Sequence, residues 1–174
     1  MKHGGSAAID LDLLEVAGHD RVVDGLVIGD ANAPSLDALL ARSGRLLGAA
    51  RRTGGALLVA AFELTRLPDD GPPPERVTTA VLGALLGELR FDDPVAQVGP
   101  ALFVVAVPLV PGTTCGRGVT DHLADAITDA LGAVVGSAGL SDFVVREDHA
   151  VAMPPHTEEA DELVLRVVEG ARAR

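Results

Sequence analysis

An arginine and an aspartate three residues apart, Arg90 and Asp93 in the run Arg-Phe-Asp-Asp-Pro, are the pair in this chain best suited to recognition chemistry. A guanidinium bonds the O6/N7 edge of guanine in bidentate fashion, and a carboxylate accepts from guanine N–H groups, so together they suit a guanine dinucleotide. Both residues also have a local use, because the dipole at a helix C-terminus favours Arg and an Asp before Pro starts a turn. Other groups offer less. His3, His19, His122, His149 and His156 show no i, i+4 pair and no Cys partner at zinc-like spacing, so no metal site is expected. His149 beside Asp148 makes an acid/base pair on paper, but no Ser or Cys nucleophile is indicated near it. Cys115 reads as an ordinary thiol, and its Gly-rich loop, residues 109–118, lacks the lysine context of a phosphate cradle. Asp69, Asp70, Asp92 and Asp93 are expected as solvated turn residues.

The elements that must position Arg90 follow from apolar spacing. Pro34 or Ser35 opens a helix on Leu36, Leu39, Leu40, Leu46 and Leu47, with Arg42, Arg45, Arg51 and Arg52 toward its C-terminal half and Gly54-Gly55 as its stop. Residues 56–64, ALLVAAFEL, form a short apolar run between breakers, which suits a strand buried in mid-sheet. The prolines of residues 69–74 exclude helix interior and central strand. A helix then runs from Glu75 to Arg90 on Val77, Val81, Leu85 and Leu89, ending at Asp92-Asp93-Pro94. Two apolar runs broken by Gly99-Pro100 predict a hairpin. A helix on Val119, Leu123, Ile127, Leu131 and Val134 follows, broken at residues 136–139. Residues 143–145 and 150–153 read as two short strands, and Thr157 as the cap of a last helix with Glu158 and Glu159 in its first turn. This order is that of an α+β fold, a ferredoxin-like central antiparallel sheet with flanking helices on one or both faces.

The residues around the hairpin resemble the GGDEF family, the diguanylate cyclases, whose signature Gly-Gly-Asp/Glu-Glu-Phe sits at such a tip. Here the corresponding residues are Gly99, Pro100, Ala101, Leu102 and Phe103, so the outer Gly and Phe survive while both carboxylates are gone. Arg90 stands nine residues before Gly99, the family's offset for the Arg-x-x-Asp motif that binds cyclic di-GMP as an inhibitory product. Asp24 and Leu26 match a further family segment, Asp-x-Leu-Thr-Gly-Leu. The resemblance covers roughly residues 20–172 and implies a nucleotidyl-cyclase-like fold. It also implies a vestigial substrate pocket. The family's metal-binding Asp falls at Ala60, its phosphate Lys near Thr65, its guanine-contacting Asn near Pro68, and its guanine-binding Asp at Glu75. A magnesium ion demands hard oxygen ligands that neither Ala60 nor Ala101 supplies. The resemblance thus implies a catalytically inactive regulatory protein, without metal or cofactor, that binds cyclic di-GMP through Arg90 and Asp93. A ligand-free interaction or dimerisation module on the same scaffold and a residual GTP-binding domain are the alternatives. A homodimer and an unidentified protein partner are expected. The helix after the hairpin has no Arg at residues 123–127, where the family recruits one; Arg117 lies earlier.

Composition narrows the partners. The chain has 174 residues, four Phe and no Tyr or Trp, so its core is aliphatic and base stacking on aromatic platforms is nearly unavailable. A net charge of −11 repels phosphate backbones, so no nucleic-acid partner is expected. No apolar h-region or membrane-length uncharged run is apparent, and a lone Cys suits a reducing compartment, so a cytoplasmic protein without membrane contact is expected. Residues 1–19 read as a loose tail and a short leading helix on Ile9, Leu11, Leu13, Leu14 and Val16, and residues 20–174 as one domain.

Overall fold

A computed structural model describes residues 21–23, 26–28, 35–67, 71–113 and 116–173. The leading segment 1–19, Asp24, Pro68, Asp69, Asp70 and Cys115 lie outside the described residues. Two three-residue strands, β1 (Arg21–Val23) and β2 (Leu26–Ile28), pair antiparallel as a separate sheet. Helix α1 (Leu36–Thr53) starts where the Ser35 side chain accepts from the Ala38 N–H at 3.2 Å. It stops at Gly54, whose φ of 72° is the left-handed conformation that glycine adopts without strain.

The main sheet holds β3 (Ala56–Arg66), β4 (Val95–Gln97), β5 (Leu102–Leu109) and β6 (Phe143–Ala152) in the order β4-β5-β3-β6, all antiparallel. Helix α2 (Glu75–Glu88) links β3 to β4, and α3 (Arg117–Gly139), kinked at Gly136, leads from β5 to β6. Both connecting helices cover one face, with Val77, Val81, Leu85, Leu123, Ile127 and Leu131 over Ala60, Phe62 and Phe103. The other face is covered by α1 and the last helix, α4 (Ala160–Arg172), through Leu39, Leu47, Leu163, Val164 and Val167 over Leu57, Val59 and Leu102. Helices thus lie on both faces. This explains why β3 reads as a continuous apolar run: alternate residues point to opposite faces, and both faces are dry. Helix α3 is long and apolar enough to cross a membrane by length and composition, yet its Thr120, Leu123, Ile127 and Leu131 stripe is buried.

Two expectations change. The two short strands of residues 143–145 and 150–153 are one ten-residue strand, paired with β3 from Arg66↔Phe143 to Leu57↔Ala152. The charged stretch Arg146 to His149 stays in the ladder because β6 is an edge strand, half-covered along its length, and the ladder bonds use only backbone groups. The cap of α4 is Glu159, not Thr157. Glu159 and Glu162 cap each other's backbone N–H groups, and Glu158 is bound instead by Arg166 at 2.8 and 3.1 Å.

Candidate functional site

The turn between α2 and β4 is assembled around Asp93. Its carboxylate Oδ2 accepts from the Arg90 N–H at 3.1 Å, and its own N–H donates to the Arg90 carbonyl at 3.1 Å, so the two residues close a small ring. From α1, Arg42 donates to the Asp92 carbonyl through Nε at 3.3 Å and Nη2 at 3.1 Å. The Pro94 carbonyl then accepts from the Ala106 N–H on β5 at 3.0 Å. Asp93 is therefore not a solvated turn residue. It is 4% exposed. Burial pushes its carboxyl above the ordinary carboxylate value, the Asp92 charge adding to the rise, while the Arg90 N–H and the charges of Arg90 and Arg42 oppose it.

Arg90 has a different environment. Its side chain is exposed, and its guanidinium makes no hydrogen bond or salt bridge among the described residues, acting on Asp93 only through its charge. The two residues thus share one turn and play different parts in it. Asp93 fixes the backbone, and Arg90 is presented to solvent. Phe91 and Asp92, between them, are exposed as well, Phe91 at 70%.

At the other end of β4 lies the hairpin tip. Gly99 has φ of 97°, the Val98 N–H donates to the Leu102 carbonyl at 2.7 Å, and the Ala101 carbonyl accepts from the Leu64 N–H at 2.9 Å. The tip is therefore stitched to the end of β3. Leu102 is buried under α1 and α4, and Phe103 under α2 and α3. Beside the tip is an open cleft of about 440 Å³ lined by Glu63, Thr65, Pro100, Ala101, Arg146 and Arg172 with the Gly71-Pro72 loop. Glu63 is opposite Leu102 on β5 and Arg146 on β6, which puts the three on one face of the sheet. Arg172 reaches the cleft from the last turn of α4.

Of the residues assigned to a vestigial pocket, Thr65 is in this cleft and Ala60 is not. Ala60 is fully buried, opposite Val105 and His149 and packed under α2 and α3. Glu75 is exposed at the start of α2 and does not line the cleft. Glu63, Arg146 and Arg172 are what sequence reasoning missed. They come from three elements: the β3–β6 register brings Glu63 and Arg146 together, and the packing of α4 on the sheet adds Arg172. A magnesium ion asks for about six oxygen ligands. Among the described residues the cleft lining supplies one carboxylate, Glu63, beside the Thr65 hydroxyl and the Arg146 and Arg172 guanidiniums. Among the described residues no group of three His, Cys, Asp or Glu is placed to hold a metal. The donor set of the described residues does not fit a two-magnesium centre.

The same helix-flanked antiparallel sheet occurs in solved structures. A sensory box/GGDEF family protein from Caulobacter crescentus superposes with a TM-score of 0.63 at 14% identity, over 84% of this chain and 95% of that one. The chain has the GGDEF-domain fold. The GGDEF domain of YfiN from Pseudomonas aeruginosa gives 0.60 at 22% identity, over 82% and 89% of the two chains. The GGDEF domain of Caulobacter DgcB, solved with c-di-GMP, gives 0.58 at 14% identity over 88% and 91%. At such identities the likeness is one of fold. No family model matches the sequence, and no curated protein does.

Proposed function

We propose that this chain is a regulatory GGDEF-fold protein without cyclase activity, cytoplasmic and dimeric, that binds cyclic di-GMP on the Arg90 turn and passes its occupancy to a protein partner. The observation that carries this reading is the exposed Arg90 guanidinium, unbonded among the described residues, on a backbone held by Asp93, Arg42 and Ala106. The planar fork of an arginine meets a guanine edge with two parallel donors, so less entropy is lost per hydrogen bond formed. The c-di-GMP complex of the DgcB domain shows that the same fold supports this class of ligand elsewhere. A diguanylate cyclase from P. aeruginosa, SiaD, solved with its activator SiaC, shows the fold with a protein partner. The silent reading is supported by the tip, where Ala101 and buried Leu102 stand in place of the two carboxylates and Pro100 in place of the second Gly.

Isothermal titration with cyclic di-GMP tests the proposal. Binding that Arg90→Ala removes is the expected result, and no heat at ligand concentrations up to the millimolar range would sink it. Incubation with GTP and Mg²⁺ is expected to yield no cyclic dinucleotide; measurable synthesis would refute the silent assignment. A second reading, residual GTP binding, is favoured by the cleft, where Arg146 and Arg172 offer two cations and Thr65 a hydroxyl to a phosphate chain. Heat with GTP that is lost in Arg146→Ala and kept in Arg90→Ala would select it. If neither nucleotide titrates, a ligand-free interaction module is left.

A further inference from the structure

We infer that Phe91 and Asp92 complete the Arg90 site. Phe91 is the stacking face for a guanine ring and Asp92 the carboxylate that accepts from the base, while Asp93 only positions the turn. This inference rests on the proposed recognition of cyclic di-GMP and specifies which side chains perform it.

Of the four Phe in the chain, Phe62 and Phe103 are fully buried and Phe143 is half-buried, whereas Phe91 is 70% exposed. Leaving a Phe in water forgoes about 1.5–3 kcal/mol of burial. A lone exposed aliphatic residue needs no explanation. An exposed aromatic ring one residue after a guanidinium that is unbonded among the described residues, on a turn held by hydrogen bonds from α1 and β5, supplies the components of a purine site. Stacking needs a flat apolar face that is already out of the core and is not free to fold back onto it. The composition excludes aromatic platforms over most of the surface; Phe91 is the exception.

Asp92 enters for a similar reason. The Arg-x-x-Asp spacing points to Asp93, but that carboxylate is 4% exposed and bonded to the Arg90 N–H. Using it for a ligand would break the ring that holds the turn. Asp92 is exposed, and its backbone carbonyl, not its side chain, is what Arg42 bonds, so its carboxylate is available without disturbing the brace. Arg90 addresses O6 and N7 of the base, and Asp92 its N1–H and N2–H. Adenine presents an amino group in place of O6 and no N1–H, so both side chains would reject it.

The chain has no Trp, so Phe91→Trp installs a single fluorophore at the proposed stacking face. In the full chain, cyclic di-GMP is expected to change that emission and to bind Phe91→Trp about as tightly as the unaltered protein. Phe91→Ala is expected to weaken binding roughly 5- to 150-fold, and Asp92→Asn roughly 10-fold, with unchanged thermal melts because both side chains are exposed. Cyclic di-AMP should not bind. Unaltered affinity in both Phe91→Ala and Asp92→Asn, with binding still lost in Arg90→Ala, would overturn this inference and leave the Arg90 reading standing. Binding lost only on Asp93→Asn would transfer the acceptor role to Asp93 and also overturn it. Absence of cyclic di-GMP binding by the unaltered protein would overturn both.

Discussion

The two ends of β4 differ in what each has done with its polar groups. At the Arg90 turn the backbone is tied down from α1 and β5, and three consecutive side chains are released to solvent. At the hairpin tip the backbone is tied equally well, through Leu64 to Ala101 and Val98 to Leu102, but the side chains that follow turn inward and are apolar. The same framework thus leaves charged and aromatic side chains in solvent at one end of the strand and buries apolar ones at the other. A fold is held by its ladder bonds and by burial on both faces of the sheet, and neither depends on the groups that do chemistry at its rim.

The sharpest way to break that contrast is to introduce a carboxylate at the tip. Leu102→Glu would place an unpaired charge at a site 2% exposed, and a loss of about 3–5 kcal/mol is expected in urea unfolding. A loss below about 1 kcal/mol would mean that the tip is still a surface site. Next comes Arg90→Ala, for which cyclic di-GMP affinity should fall by roughly 10- to 150-fold while the melting temperature stays put, since the guanidinium bonds no described group. A drop in melting temperature would show that Arg90 is structural.

Asp93 gives the opposite pattern. Asp93→Ala should cost about 1–2 kcal/mol of stability by leaving the Arg90 N–H without its acceptor. Asp93→Asn keeps an acceptor and avoids burying a charge, so it should be at least as stable as the unaltered protein at pH 7. The sign of the pH dependence follows from the raised carboxyl. The folded state holds the proton more tightly than the unfolded chain, so this residue's contribution is fully present below the ordinary Asp value near 3.8 and is lost as pH rises through the folded value. In Asp93→Asn that decline should vanish from the pH profile of unfolding; an identical profile would contradict the assignment. The smallest effect is expected at Ser43. Its hydroxyl is buried with no hydrogen-bond partner among the described residues, so Ser43→Ala should stabilise the protein by up to about 1 kcal/mol.

Most of the framework is legible in the residues. Ser35 and Gly54 bracket α1, the unbroken apolar run marks β3 as central, and Gly99-Pro100 marks the hairpin, because each of these signals is local. The first hairpin has a local signal too, Asp24-Gly25 between two apolar triplets, but Asp24 stands out in the sequence only as a match to Asp-x-Leu-Thr-Gly-Leu. What the sequence did not reveal depends on distant pairing. Strand β6 crosses a charged stretch that no alternation rule would accept, and it is held there by β3. Glu63 and Arg146 share a cleft because of that register, and Arg172 joins them from the last turn of α4. The burial of Asp93 could not be read either, because Asp before Pro looks the same whether the turn is solvated or capped by α1.

The apolar run of β3 has a consequence beyond architecture. Seven successive residues, Ala56 to Phe62, have essentially no solvent exposure and carry no charge or proline. Such a segment is soluble only while β5, β6 and four helices enclose it, and once released it is the kind of stretch that stacks with copies of itself. Losses of α4 or of the β6 edge should therefore surface first as aggregates in the cell, well before any ligand is missed.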